Sequence, residues 1–590
     1  MSNSSTHDEL NDERRGLARF VPSVGWIADY TWPKARSDGL VAIFVAALLV
    51  PQAMAYAQLA GLPPTAGLAA AIVPPFLYAL LGTSRYLSIG PVALLSLLTA
   101  ASMRSHDIDD VESALATAAL LALTAGAIQV LIGAARLGFL TNFISDPALA
   151  GFINGAALLI ASSQITTLLG IPFEARGLLE AVSQTATGLE RANVAAAITG
   201  VASLAALLAL PPAVRRLSAL AGFAKRWCSV CERSVPLVVL AAVTTAAWGL
   251  NLAQDYGLPV VGAVQPGLPS PHLPDVSGID WHWLAGEAFA IALIGYVIAL
   301  GAANSLAGRN RQSISPDQES VALGLGNVGA ALTGGYPVGA SLSRSAIVSD
   351  MDGQSPLGTA GASLIILAVL LMGGPVFAYL PQAALAALIM IAVLGLLDLR
   401  QVWKFVRYSK SDAAATLTSL TTVMFLGVHW GLAVGALTSL LMFLWRTSQP
   451  RIVVVGPESA SGRMKSTERR DVEDTAKGVL VLRVDENLYF ANSRYCEQAI
   501  LREVARRPEV SDVVLDLKVV GHIDASALVM LERLNRSLKS AGVSLSMAHA
   551  RKPVLVRLRH IGFMRQLDEP VAFESSHEAL ETLSDDQDKN

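Results

Sequence analysis

Residues 88–93 of this 590-residue chain read SIGPVA, and residues 336–345 read YPVGASLSRS. Each stretch places glycine and proline inside an apolar region that is long enough to form membrane helices. Irregular backbone at membrane depth is tolerated only where it is buried in protein or lines a cavity. The two interruptions fall near the third segment of each half of the chain. This arrangement predicts two broken helices, related by an inverted repeat, that meet near the middle of the membrane.

The residues after the second interruption favour an anion site. A helix N-terminus presents unpaired N–H groups and roughly half a positive charge, so two facing N-termini attract an anion. Ser341 and Ser343 would add hydroxyl donors, and Arg344 would add a positive charge that is costly within a membrane. The alternative interpretation is a simple Gly-Pro kink, with Arg344 extending to the membrane surface.

The composition divides the chain into a lipid-solvated part and a water-solvated part. Hydrophobic residues make up 53% of the chain and charged residues only 15%, against about 25% charged residues in an average soluble domain. Charges are sparse from 38 to 449 and dense elsewhere. We therefore predict an N-terminal cytoplasmic segment (1–37), a membrane domain (38–449), a linker (450–474), a soluble domain (475–575) and a disordered tail (576–590). No basic domain indicates a nucleic-acid partner.

Apolar runs of about 20 residues identify the membrane helices. Together with the two interrupted stretches and a glycine-containing run at 320–334, they predict about fourteen spans. The clear runs are 39–59, 67–82, 113–134, 150–169, 193–210, 235–252, 284–305, 356–374, 383–397, 413–428 and 431–446.

Lysine and arginine in short loops set the orientation of a membrane protein, because such loops stay in the cytoplasm. Basic residues cluster in 215–233, 309–311 and 400–410, whereas the alternate loops 107–112 and 254–275 are acidic or proline-rich. With an even number of spans, both termini lie in the cytoplasm. The polar N-terminus lacks the pattern of a secretory signal, so we expect a multi-pass protein of a bacterial inner membrane.

Enzyme motifs are absent from the sequence. There is no P-loop, HExxH or GxSxG pattern, so we predict neither catalytic residues nor ATP-driven transport by this chain. Cys228 and Cys231 form a CxxC without a second ligand pair, which favours two inert thiols over a metal site. We expect no metal and no cofactor. A membrane-anchored regulator remains a competing class, although an anchor needs neither broken helices nor Arg344.

Several motifs together resemble the sulfate permease (SulP) family of anion transporters. Residues 50–57 read VPQAMAYA, 84–91 read SRYLSIGP, 317–327 read DQESVALGLGN and 341–346 read SLSRSA. The resemblance extends from about residue 20 to 575.

The family resemblance implies an all-α, fourteen-helix 7+7 inverted repeat with a core domain, a gate domain and alternating access. It also implies a homodimer and secondary active transport of an inorganic anion, most often sulfate. The anion site would lie between the third and tenth helices. The positions carried over from the family are Gln52, Tyr56, Val92, Ala93, Ser341, Ser343 and Arg344.

Two positions depart from the family pattern. Many members carry Glu or Asp in the eighth span, where this chain has Ile298. The role of that carboxylate in coupling to protons or sodium is therefore in doubt, and a bicarbonate, chloride or dicarboxylate exchanger or an uncoupled anion pathway remains open. Glu287 lies about three turns away on the same helix and is expected near the outer surface. Val92 replaces an aromatic residue of some members, which leaves more room at the site.

The C-terminal region alternates strand and helix patterns and resembles a STAS domain. Strands are predicted at 479–484, 512–517 and 543–547, with helices at 525–538 and 552–561. Ser526 stands where anti-sigma-factor antagonists are phosphorylated, and added phosphate would meet a helix N-terminus. Alternatively, Asp524 is only a helix cap. Regulation or a cytoplasmic protein partner is the expected role of the domain.

Overall fold

The computed structural model describes residues 22–27, 29–108, 110–171, 178–222, 225–262, 280–310, 312–372, 377–458, 464–467, 478–567 and 572–587. The chain forms two compact units, 1–439 and 440–590. Most of the predicted N-terminal segment, much of the predicted linker, Arg311 and residues 263–275 of the proline-rich loop lie outside the described residues.

The first unit is helical apart from two short strands. Its helices are α1 (Ser23–Ile27), α2 (Trp32–Leu59), α3 (Pro64–Ala70), α4 (Val73–Leu81), α5 (Ala93–Ser105), α6 (Val111–Ala134), α7 (Asp146–Leu168), α8 (Leu178–Gly188), α9 (Val194–Leu220), α10 (Lys225–Gly249), α11 (Leu252–Asp255), α12 (Trp281–Asn310), α13 (Pro316–Leu332), α14 (Leu342–Asp350), α15 (Leu357–Met372), α16 (Gln382–Leu394), α17 (Leu399–Tyr408), α18 (Lys410–Leu426) and α19 (Val428–Ser448). Strands β1 (Ile89–Gly90) and β2 (Gly339–Ala340) precede α5 and α14.

Local signals in the sequence explain where many of these helices begin. Asp110, Ser145 and Asn193 each accept a hydrogen bond from a backbone N–H of the first turn of α6, α7 and α9, as N-cap residues do. Proline stands in the first turn of α2, α3 and α13, where its missing N–H costs nothing. In the described residues, eight helical segments are long and apolar enough to cross a membrane.

The prediction of an all-α membrane domain is confirmed. Joining α3 to α4, β1 to α5, β2 to α14 and α16 to α17, and leaving out the short helix α8, gives seven segments from α2 to α10 and seven from α12 to α19 among the described residues. The broken segment is third in each set, as an inverted repeat requires.

The helices pack into two groups. The core group consists of α2–α6 and α12–α15, in which α13 packs on α4 and α6 while α15 packs on α2. The gate group consists of α7, α9, α10 and α16–α19, in which α7 packs on α16 and α18 while α9 packs on α10. Helix α2 also contacts α10 and α16, so it forms part of the boundary between the groups.

The second unit contains a six-stranded sheet of order β4-β3-β5-β6-β7-β8. Its elements are β3 (Ile452–Pro457), β4 (Met464–Ser466), β5 (Val479–Val484), α20 (Ser493–Ala505), β6 (Asp512–Asp516), α21 (Ala525–Ser540), β7 (Ser544–Ala548), α22 (Lys552–His560), β8 (Ala572–Phe573) and α23 (Ser576–Gln587). Strands β5 to β8 run parallel, and β3 is antiparallel to β4 and β5. The predicted strands and helices of this domain are present within one or two residues at each end.

Two of the predicted boundaries are wrong. The predicted linker 450–474 contains β3 and β4, because Val453 and Val455 of β3 bury their side chains on one face of the sheet. The predicted disordered tail contains α23, because Ala579, Leu580 and Leu583 pack into the same apolar cluster. The polar composition of the tail concealed this narrow apolar stripe.

Glu319 ties the two halves of the core group together. Its side chain is fully buried near the start of α13. Its carboxylate accepts hydrogen bonds from Tyr78 Oη at 2.9 Å, from the Thr83 backbone N at 2.7 Å and hydroxyl at 2.5 Å, and from Ser84 N at 3.1 Å. The loop before β1 is thereby held against α13 from the other repeat.

We expect Glu319→Ala to lower the apparent Tm of the detergent-solubilised protein by about 5 °C or more, because four buried donors lose their acceptor. Dye-monitored thermal unfolding measures the change. Glu112→Ala, at an exposed position in the first turn of α6, is the matched control with little effect. An equal shift in both variants would contradict the proposed role of Glu319.

Burial raises the pKa of the Cys496 thiol to about 12, so the reactive thiolate is scarce at neutral pH. We expect Cys496 of the native protein to resist iodoacetamide at pH 8 and to react fully after denaturation. Peptide mass spectrometry separates its modification from that of Cys228 and Cys231. Rapid alkylation of Cys496 in the folded chain would show that this part of the domain opens easily.

Candidate functional site

The two interrupted stretches meet as a short antiparallel pair of strands. Ile89 of β1 lies opposite Ala340 of β2, and Gly90 lies opposite Gly339. Ser341 N donates to Ser88 O at 3.0 Å, which extends the pairing to the start of α14. This pairing gives partners to backbone groups that membrane lipid could not satisfy. The predicted pair of broken helices is therefore present in the fold.

Helices α5 and α14 begin directly after this strand pair. Val92 is the extended N-cap residue of α5, and Ala93 is its first helical residue. Ser341 caps α14 by accepting a hydrogen bond from Arg344 N at 3.4 Å. Its hydroxyl lies 3.1 Å from that of Ser343. Because both helices start at the strand pair, their positively polarised N-termini lie at one place.

Arg344 connects the two interrupted stretches with α2. It is the largest of the fully buried side chains in the described residues, with 1% of its surface exposed. Its Nη1 donates to Pro91 O at 3.0 Å and to Gln52 Oε1 at 3.4 Å, and its Nε donates to Ser88 Oγ at 3.4 Å. The interpretation that Arg344 extends to the membrane surface is therefore wrong.

The guanidinium of Arg344 keeps one nitrogen unpaired. Its Nη2 is buried and has no hydrogen-bond partner in the described part of the chain. The protein groups that accept hydrogen bonds from this side chain are neutral: a carbonyl, an amide and a hydroxyl. A buried charge without a counter-ion is strongly unfavourable. The arrangement is therefore chemically suited to an anion near Nη2.

The structure brings the seven predicted site residues into one region. Gln52 contacts Arg344 directly, and Tyr56, one turn further along α2, is buried. Val92 and Ala93 follow Pro91, whose carbonyl accepts from Arg344. Ser343 is exposed, on the first turn of α14. Their contribution to anion binding remains a prediction.

Ser345 joins the two broken segments and was missed by the sequence analysis. Its hydroxyl donates to Ser341 O at 2.7 Å and accepts from Ser88 N at 2.8 Å. Both Ser88 and Ser345 stood inside the quoted stretches. A rule could have identified them: where a membrane helix is interrupted, a neighbouring polar side chain can hydrogen-bond the backbone groups that the interruption leaves without helical partners.

Asn327 also holds the interrupted backbone in place. Its side chain accepts from Val338 N at 2.7 Å and donates to Val338 O at 3.1 Å. The same amide nitrogen lies 3.0 Å from Gln129 Oε1. Asn327 thus satisfies both backbone groups of the residue just before β2, much as a neighbouring strand would.

Ile298 lies where the family pattern has a carboxylate. It is partly buried and packs against the apolar cluster that includes Leu94 and Leu95 of α5. An apolar side chain at this point offers no proton or cation site. In the described residues, no group of three or more His, Cys, Asp or Glu side chains could hold a metal ion.

In the second unit, Asp524 acts as the N-cap of α21. Its Oδ1 accepts from Ala527 N at 2.8 Å, and its Oδ2 accepts from Phe490 N at 2.8 Å. Ser526 is exposed on the first turn of the same helix. These two backbone contacts give Asp524 a structural role, and the exposure of Ser526 leaves its hydroxyl accessible.

The fold and the site define a class: multi-pass membrane proteins whose two half-helices meet at a buried site, with a small α/β domain attached. Residues 36–419 match the model of the Sulfate permease family, and residues 472–579 match that of the STAS domain. The chain belongs to the sulfate permease family and carries a C-terminal STAS domain.

Two relatives show how far the similarity extends. The chain is 32% identical to a probable sulfate transporter of Mycobacterium tuberculosis over 557 residues, which covers 94% of this chain and 96% of that protein. It is 30% identical to the chloroplastic sulfate transporter 4.1 of Arabidopsis thaliana, covering 95% of this chain and 82% of that protein.

Solved structures show the same fold at lower identity. The structure of SLC26A9 has a TM-score of 0.88 at 23% identity and covers 98% of this chain and 95% of that chain. The transmembrane domain of the cyanobacterial bicarbonate transporter BicA has a TM-score of 0.57 at 20% identity and covers 70% of this chain. These matches support the assignment of the fold, including its membrane domain.

We expect Asn327→Ala to loosen the strand pair, because Val338 N and O both lose their buried partner. Hydrogen–deuterium exchange of peptides that cover residues 336–345 should rise, while peptides of the STAS domain stay unchanged. Asn154→Ala, which removes a buried amide from α7 in the gate group, is the control. Equal exchange of this segment in wild type and Asn327→Ala would contradict the role assigned to Asn327.

Proposed function

We propose that this protein transports a small inorganic anion, with sulfate as the favoured substrate, across a bacterial inner membrane by secondary active, alternating-access transport. The observation that carries the proposal is the buried Arg344, whose Nη2 has no partner in the described residues. An anion beside Nη2 would supply the missing counter-charge. Gln52, Tyr56, Val92, Ala93, Ser341, Ser343 and Arg344 are the proposed binding residues.

The surroundings of Arg344 suit an oxygen-bearing anion. The helix N-termini at Val92 and Ser341 add partial positive charge, and the hydroxyls of Ser341 and Ser343 add donors. Tetrahedral oxyanions bind well to such convergent donors. Sulfate is favoured over other anions because the relatives described above are named sulfate transporters.

Transport would move the core group, with its bound anion, against the gate group. The strand pair, α5 and α14 all belong to the core group, so the site would move as one piece. Both termini would lie in the cytoplasm, as the basic loops predict. We infer a homodimer from family membership, and a regulatory role or a protein partner for the STAS domain, with Ser526 as a candidate regulatory position.

Ile298 favours a second candidate, in which the protein exchanges bicarbonate, chloride or a dicarboxylate, or conducts anions without coupling. The apolar packing of Ile298 removes one carboxylate that a proton-coupled or sodium-coupled carrier could use. Such an exchanger would still need Arg344. The coupling experiment below separates the two candidates.

We expect Arg344→Gln to reduce radiolabelled sulfate uptake into proteoliposomes at least ~100-fold, because a buried charge-assisted contact to the anion is lost. Arg344→Lys should also be impaired, since a lysine cannot reproduce the forked contacts to Gln52 and Pro91. Arg400→Gln, at an exposed position in α17, is the matched control and should transport normally.

Uptake is measured under imposed pH and sodium gradients in turn. Dependence on one of the gradients supports a coupled sulfate carrier. Absence of sulfate uptake by wild type, in vesicles that exchange bicarbonate or chloride, would favour the exchanger. Full sulfate uptake by Arg344→Gln would contradict the proposed site.

A further inference from the structure

A cavity of about 560 Å³ lies between the core and gate groups, away from Arg344. It is bordered by the C-terminal part of α2, the end of α5 and the turn between α18 and α19. Polar side chains from both groups line it: Gln58, Arg104 and Ser105 from the core group, and Ser163, Gln164 and His429 from the gate group.

An ionisable pair links the two groups at this cavity. Nδ1 of His429, at the start of α19, lies 2.7 Å from Oε2 of Glu287 in α12. Ser102 of α5 donates to the same oxygen at 2.7 Å. Both ring nitrogens of His429 are buried, and neither is aligned for a hydrogen bond in the described residues, so Nδ1 approaches the Glu287 carboxylate closely without a well-aligned hydrogen bond. The side chains of His429 and Glu287 keep 22% and 18% of their surface exposed.

Few other charged groups face the pair. His106, after the end of α5, stacks on Trp283 of α12 with ring centroids 3.9 Å apart, and Arg104 lines the same cavity. The cavity-lining residues that α7 and α16 contribute carry no ionisable side chain: Leu159, Ser163, Gln164, Thr167, Gln382 and Ala386. Among these side chains, only histidine is of a residue type whose charge can change between about pH 5 and 8.

A second ion pair links the core and gate groups at another boundary. Arg233 of α10 lies 2.5 Å from Asp350 at the end of α14. Helices α10 and α19 are the last segments of the two repeats, and α14 is the repeat counterpart of α5, which supplies Ser102. The gate-group members of the two pairs thus lie on repeat-related helices, while their carboxylate partners lie on α12 and α14 of the core group. Arginine stays charged at all physiological pH values, whereas histidine is a residue type whose charge can change in that range.

We propose that Glu287 and His429 form a proton-binding site that controls the opening of this cavity; the inference rests on the proposed movement of the core and gate groups. A neutral His429 leaves Glu287 beside a dipole rather than beside an opposite charge. Protonated His429 offers a charged donor, which makes a shorter and stronger contact with a carboxylate. Proton binding therefore stabilises the closed arrangement, and proton release favours separation of the groups.

The test measures access to the cavity, and it needs no transport. The native cysteines are replaced (Cys228→Ser, Cys231→Ser, Cys496→Ala), and Ser163→Cys introduces a single reporter thiol at the cavity. The full chain in lipid nanodiscs is labelled with a membrane-impermeant maleimide from pH 6 to pH 8. Labelling rates are divided by those of Glu112→Cys in the same background, which corrects for the pH dependence of the reagent.

The corrected rate should rise about two- to five-fold from pH 6 to pH 8. This is the change in the opening equilibrium that corresponds to the free energy of one partly exposed ion pair. Glu287→Gln and His429→Asn should each make the rate independent of pH. Asp350→Asn should keep the pH dependence, because Arg233 does not titrate, and His106→Asn should keep it too.

Retention of the wild-type pH dependence in both Glu287→Gln and His429→Asn, or its loss in His106→Asn alone, would overturn the assignment. Size-exclusion profiles and resistance of the STAS domain to proteolysis confirm that each variant is folded. Failure of wild type to take up sulfate would count against the proposed function and leave the labelling result unaffected.

Discussion

The pairing of β1 with β2 is the constraint on which the membrane domain depends. Two chain segments from opposite halves of the sequence leave helical geometry at the same depth, and each satisfies the backbone groups of the other. Without that pairing, neither interruption could persist in a lipid-solvated fold. The contacts of Ser345 and Asn327 reinforce it from α14 and α13. The buried position of Arg344 follows, because the interruption offers its side chain the Pro91 carbonyl and the Ser88 hydroxyl, to which Gln52 of α2 adds an amide oxygen.

Much of the membrane domain could be predicted from the sequence because each signal was local. Apolar runs predicted the membrane-spanning helices, and glycine and proline predicted where two of them are interrupted. The SLSRSA motif indicated the start of α14. The tail from residue 576 shows where a prediction from composition fails. Its polar composition predicted disorder, but three small or aliphatic residues at helical spacing pack into the apolar cluster. The predicted linker failed for a related reason: its strands are short and gain their stability from neighbours in the sheet.

The contacts that hold the site together could not be predicted, because they join residues far apart in the chain. Nothing near Asn327 reveals that its side chain pairs with the backbone of Val338, and Glu319 resembled an ordinary acidic residue in the first turn of a helix. Glu287 was expected near the outer surface, but its contact with His429 depends on packing between the two groups. Sequence patterns reveal the hydrophobic periodicity within a single helix or strand. These contacts, in contrast, arise from tertiary structure.

The strand pair also has a consequence for energy coupling. Because β1, β2, α5 and α14 are joined by hydrogen bonds within one helix group, any movement that preserves those bonds leaves the set of groups around Arg344 unchanged. An anion held there would meet the same ligands, and so nearly the same intrinsic affinity, whichever compartment it faced. Such a carrier is reversible by construction. The direction of net flux would then be set by the concentration gradients and the membrane voltage. A difference in anion affinity between the two sides of the membrane would not be needed.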